Sequence, residues 1–95
     1  MKVLSKDEIK QKLGALPGWK LTEEGIQKRY KLDSFMSAID LVRRVADAAE
    51  AANHHPDILI QYKKVTLTLS THSAGGLTAK DFELAQQVNG IARVT

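Results

Sequence analysis

Apolar residues recur at helical spacing near the start of the chain, then alternate with polar ones, and the exchange repeats before the last third returns to helical spacing. Leu4-Ser5-Lys6-Asp7-Glu8-Ile9 has the form of a helix start: Ser5 supplies a capping hydroxyl, Glu8 can return the bond, and Leu4 can staple against Ile9. Ile9, Leu13 and Leu16 give that helix an apolar side, and Gly14 with Pro17-Gly18 ends it. Trp19-Lys20-Leu21 and residues 26–32 then alternate, with Thr22-Glu23-Glu24-Gly25 as turn material between them, which predicts a hairpin with one buried face. A second helix is predicted from Asp33 or Ser34, with Phe35, Ile39, Val42, Ala46 and Ala49 on one stripe. It cannot run through Pro56, whose ring removes a donor and biases His55 towards extended backbone, so Asn53-His54-His55 forms the exit.

Residues 58–62 and 65–72 flank Lys63-Lys64 as a second hairpin, its last strand ending at His72. In that strand Val65, Leu67 and Leu69 face the helices, and Thr66, Thr68 and Ser70 are left for solvent or a partner. Ala74-Gly75-Gly76 reads as a flexible joint, and Thr78-Ala79-Lys80-Asp81 opens a third helix through Phe82, Ala85, Val88 and Ile91. The order α-β-β-α-β-β-α predicts an α+β fold, a four-stranded antiparallel sheet with three helices packed on one face.

Composition narrows the chemistry. Ninety-five residues suit one domain spanning 1–95, small enough that self-association would relieve its limited burial. The chain has no cysteine, which removes disulfides, thiolate metal sites and cysteine nucleophiles together. Neither a signal-like apolar run at the start nor a membrane-spanning run is present, so the expectation is a soluble, cytoplasmic protein. The net charge of +3 comes from short basic clusters dispersed among acids, which suits a solvated surface better than a nucleic-acid footprint but favours an anionic partner.

All three histidines fall in the second half: His54 and His55 at the helix exit, and His72 at the strand end. Imidazole exchanges protons near neutrality, so convergence of these groups on one pocket would suit proton transfer. Glu50, His54-His55-Pro56, Tyr62, His72 and Asp81, with Leu67-Thr68-Leu69-Ser70-Thr71-His72 and Gly76-Leu77-Thr78, form a pattern that resembles the pterin-4a-carbinolamine dehydratases over nearly the whole chain. That resemblance implies dehydration of a 4a-hydroxytetrahydropterin to a quinonoid dihydropterin, a step that recycles a tetrahydrobiopterin-type cofactor beside the aromatic amino-acid hydroxylases. It also implies that His54 and His72 act as the acid/base pair while His55 orients the substrate. Glu50 and Asp81 would fix imidazole tautomers, and Ser70, Thr71 and Ser73 would offer hydrogen bonds to the pterin ring. No cofactor or metal is required, the pterin being the substrate. The family pattern implies a homodimer through sheet continuation, or a homotetramer through helices, and the regular strand 65–71, if it lies at the sheet edge, would invite that pairing.

Two positions depart from that pattern: Ile58 stands where an aromatic residue is frequent, and Lys80 where arginine is familiar. Lysine presents a point charge where arginine presents a planar fork. Plainer readings exist for each residue. His54 and His55 can cap the helix end, Glu50 can be a solvated helix residue, Asp81 can serve only as a capping residue, and Tyr62 and Trp19 are best read as core or rim packing. Three histidines plus water is also a catalytic zinc arrangement, although adjacent side chains in an extended exit diverge. His72 activating a hydroxyl nucleophile lacks any nucleophile-elbow motif. A non-catalytic dimerisation or assembly cofactor of the same fold is the alternative from another class.

Overall fold

The computed structural model describes residues 2–93. Three helices, α1 (Lys6–Gly14), α2 (Phe35–Ala52) and α3 (Ala79–Ala92), interleave with four strands, β1 (Lys20–Thr22), β2 (Gly25–Lys31), β3 (Asp57–Gln61) and β4 (Lys64–Leu69), in the expected order. The Ser5 hydroxyl accepts from the Glu8 amide while the Glu8 carboxylate accepts from the Ser5 amide, so the first helix begins where the sequence pattern places it.

The four strands form one antiparallel sheet in the order β1-β2-β4-β3. Central β4 pairs on one side with β2, Ile26 opposite Leu69, and on the other with β3, Ile60 opposite Val65. Ile26, Val65, Leu67 and Leu69 share one face and are fully buried with Leu41, Val45, Leu84 and Val88 from the helices. The condition for pairing through residues 65–71, a place at the sheet edge, is therefore not met: the edges are β1 and β3, and Leu59 on β3 is 52% exposed. On the outer face Gln27 Nε2 donates to Thr68 Oγ1 at 3.1 Å and Arg29 Nε donates to Thr66 Oγ1 at 3.3 Å. Long side chains on β2 thus cover the threonine hydroxyls that periodicity alone leaves for solvent.

Three local expectations also change. α2 buries Ala38, Leu41, Val45 and Ala49, whereas the stripe read from the sequence keeps only Ala49 fully inside and leaves Phe35 exposed. Both sets repeat at helical spacing, and the closely packed side takes the one that carries alanine at either end. Tyr62 is neither core nor rim packing; it turns the β3–β4 hairpin at φ 57° with 69% exposure, its ring beside the Lys63 ammonium. Residues 74–76 are a closed turn, not a loose joint, because the Thr71 and Gly76 backbones bridge each other and the Gly75 amide donates to the Thr71 and His72 carbonyls.

Away from the histidines, Trp19 Nε1, Lys28 Nζ and Tyr30 OH all donate to Asn89 Oδ1 of α3, at 3.0, 3.0 and 2.5 Å. Trp19 is buried here, as a packing residue with a satisfied indole. Burial lowers the Lys28 pKa, and it pushes Tyr30 from 10.0 up to about 12, outweighing the opposing effect of the Trp19 hydrogen bond. Below pH 10 both folded and unfolded chains keep the Tyr30 proton, so this group leaves stability untouched there. Between 10 and about 12 the unfolded chain releases it first, and stability falls as pH rises. In Y62F, where Tyr30 is the only tyrosine left of two, phenolate absorbance should rise with a midpoint near 12, together with loss of the folded signal. A midpoint near 10 in the folded protein would show that the phenol is not held this way.

Candidate active site

α2 ends in a left-handed turn at Asn53, φ 49° and ψ 44°, a conformation that asparagine tolerates. The His54 amide donates to the Ala49 carbonyl at 3.0 Å and the Asn53 amide to the Glu50 carbonyl at 3.1 Å, the paired bonds of a Schellman stop. His54 is thereby tied by its backbone to the helix end, as the plainer capping reading expects. Its side chain goes further. The ring is buried, and Nε2 lies 2.5 Å from Asp81 Oδ1.

Asp81 has no exposed surface and sits in the first turn of α3. Its Oδ2 accepts from the Thr78 amide at 3.0 Å and from Thr71 Oγ1 at 2.8 Å, and Thr71 Oγ1 in turn lies 2.8 Å from Thr78 Oγ1. An ionised carboxylate only accepts, so this contact favours the His54 tautomer with its proton on Nε2 and the lone pair on Nδ1. No side-chain polar atom is both buried and unpartnered among the described residues, and Asp81 is the only side-chain partner described for His54, so Nδ1 meets solvent. The Thr71 hydroxyl donates to Asp81 and meets the Thr78 hydroxyl, so its proton is held inside the protein.

Thr71 is followed directly by His72, which opens a short 3₁₀ turn, His72–Ala74, instead of ending a strand. β4 stops at Leu69 because the chain must leave the ladder at Ser70 to form the Thr71–Gly76 bridge. His72 is exposed and lines a cleft of about 600 Å³ with Ser70, Asp57, Gly75, Gly76 and Leu77. The rest of the lining, Leu21, Thr22, Glu23, Glu24 and Gly25, is the β1–β2 turn. Gly25 brings that turn in close: its φ is +143°, and a Cβ there would fall 2.0 Å from the Leu69 carbonyl oxygen.

The three histidines thus take different surroundings. His54 is buried against Asp81, His72 lines the cleft, and His55 is exposed with Nε2 hydrogen-bonded to Glu50 Oε2. Ser73 is exposed and does not line the cleft, and neither do His54 and His55. The link between the first and last histidines runs through His54, Asp81 and Thr71 to the backbone of His72. Among the described residues no three histidine, aspartate or glutamate side chains gather in a way that could hold a metal ion. The turn residues Glu23 and Glu24 were not among the site residues that the sequence suggests, since turn composition carries no sign of which wall a turn will form.

Comparison with known proteins shows the family. Residues 2–91 match the family model described as pterin 4 alpha carbinolamine dehydratase. A curated protein of Roseiflexus castenholzii, named provisionally as such a dehydratase, is 55% identical over 89 residues, covering 94% of this chain and 96% of its own. A protein of a Cyanothece strain, likewise provisionally named, is 50% identical over 92 residues, covering 97% and 95%. The crystal structure of a transcriptional coactivator/pterin dehydratase from Brucella melitensis superposes with a TM-score of 0.92 at 34% identity, over 96% of this chain and 99% of that one. The chain belongs to the pterin-4a-carbinolamine dehydratase family.

Proposed function

We propose that this protein dehydrates a 4a-hydroxytetrahydropterin, with His54 and His72 as the proton carriers. In that reaction the N5–H bond breaks, an N5=C4a double bond forms, and the C4a hydroxyl leaves as water after gaining a proton. The observation that carries the reading is the buried His54–Asp81 pair, joined through Thr71 to His72 in the cleft. His54 stands behind the cleft lining, so its Nδ1 takes the N5 proton through one intervening water, and the imidazolium it becomes is stabilised by the Asp81 carboxylate. His72 delivers a proton to the departing hydroxyl and is recharged from solvent, and Ser70 offers a hydrogen bond along the cleft. His55, with Glu50 beside it, orients substrate from the exposed side. The product would re-enter the pterin cofactor cycle of aromatic amino-acid hydroxylases.

A second reading, a dimerisation or assembly module, draws on the coactivator name of the Brucella melitensis protein and on exposed Phe35 and Met36 at the start of α2. His54→Ala and His72→Ala should each lower kcat by about 10²-fold or more once the uncatalysed dehydration is subtracted, whereas His55→Ala mainly raises KM. Full kcat in either of the first two variants would remove that histidine from the mechanism, and no turnover by the wild-type protein would favour the module.

Self-association belongs to the same proposal, with β3 in place of β4 as the pairing edge. β3 is free on one side, contains no proline and exposes Ile58 and Leu59. Light scattering at micromolar concentration should give at least a dimer mass, and Leu59→Lys should shift it towards one chain with circular dichroism unchanged, because like charges would meet across the two-fold. A wild-type monomer, or a variant that pairs as before, would exclude this edge.

A further inference from the structure

The cleft's electrostatics run against those of the molecule. The chain carries a net +3, yet Glu23, Glu24 and Asp57 all line this cavity, against His72 as its single basic side chain. Among the described residues neither the Glu23 nor the Glu24 carboxylate has a hydrogen-bond or ion-pair partner, so both offer free acceptor oxygens. The turn that bears them is held in place: Thr22 Oγ1 donates to the Gly25 carbonyl at 3.1 Å and accepts from the Glu24 amide at 3.2 Å, and Gly25 sits against the Leu69 carbonyl and Ser70. Leu21 and Leu77 add apolar surface to the lining. Such a cavity combines carboxylate acceptors, a proton carrier and aliphatic surface against which a flat ring can lie.

We infer that the β1–β2 turn selects the substrate, Glu23 and Glu24 accepting hydrogen bonds from the 2-amino and N3–H donors of a 2-amino-4-oxopteridine. This rests on the dehydratase reading and adds to it the residues that read the ring. A bicyclic pterin carries its donor edge on the pyrimidine ring and its reacting N5 and C4a at the junction with the second ring. Carboxylates at the turn therefore engage the end remote from the chemistry, while His72 faces the hydroxyl. Charge-assisted acceptance from paired N–H donors is strong and directional, and a site built for donors rejects an analogue that lacks them. The turn carboxylates thus set binding, and the histidines set rate.

The test uses calorimetric binding of 6-methylpterin and of 6-methyllumazine, in which a 2-oxo group replaces the 2-amino donor, beside dehydratase kinetics. Wild-type protein should prefer the pterin. Glu23→Gln/Glu24→Gln together should weaken pterin binding about tenfold or more, the usual effect of losing a charged acceptor. Lumazine, which keeps N3–H but lacks the 2-amino donor, should lose less affinity than the pterin, so the preference falls towards equality, and KM should rise with kcat held. The single variants then show which carboxylate carries the effect. Equal wild-type affinity for the two compounds, or a preference that survives the double substitution in an active enzyme, would overturn this inference and leave the dehydratase reading standing. Wild-type protein that neither binds a pterin nor turns over a carbinolamine would overturn the dehydratase reading itself, and this inference with it.

Discussion

A carboxylate withdrawn from water must be met by donors, and Asp81 is withdrawn completely. Its two oxygens receive the His54 ring, the Thr71 hydroxyl and the Thr78 amide, which arrive from three separate stretches of chain. The exit of α2, the end of β4 and the start of α3 can bring those donors together only in the register observed. Removing one partner would leave a buried charge short of a donor, so the three junctions stand or fall together. The exposed His55–Glu50 pair carries no such constraint, because an ion pair in water contributes little.

The same constraint shapes the chemistry. Asp81 holds one ring nitrogen of His54 and leaves the other to solvent, while Thr71, its second ligand, is covalently next to His72. A substitution that disturbs the carboxylate would therefore displace a proposed base and the turn that carries the proposed acid at once. His72 is set by backbone closure between Thr71 and Gly76, so its place in the cleft depends on the same turn that offers Thr71 to Asp81.

Element order was legible because each boundary carries local chemistry: Ser5 with Glu8, Ser34 and Thr78 at helix starts, Asn53 before Pro56 at a helix end. Strand order was not, because nothing in the period of residues 64–69 says whether one neighbour or two will pair with them. The threonine face shows the same limit, since its cover comes from Gln27 and Arg29, distant in sequence and opposite only once β2 and β4 align. In the site, the meeting of the α2 exit, the end of β4 and the start of α3 could be read from element order, but not that His72 alone of the three histidines would line the cleft. The division of labour could not: that the Thr71 hydroxyl donates to Asp81 shows only in the fold, and Glu23 and Glu24 look like turn filler until the turn lines the cleft.

The central claim is that Asp81 fixes His54 with its proton on Nε2, and long-range ¹H–¹⁵N correlation of the imidazoles measures this directly. At a pH where the ring is neutral, His54 should show a protonated Nε2 and a bare, pyridine-like Nδ1, and Asp81→Asn should abolish that single-tautomer pattern. A His54 ring protonated on Nδ1, or one that exchanges freely between tautomers in the wild-type protein, would contradict the account.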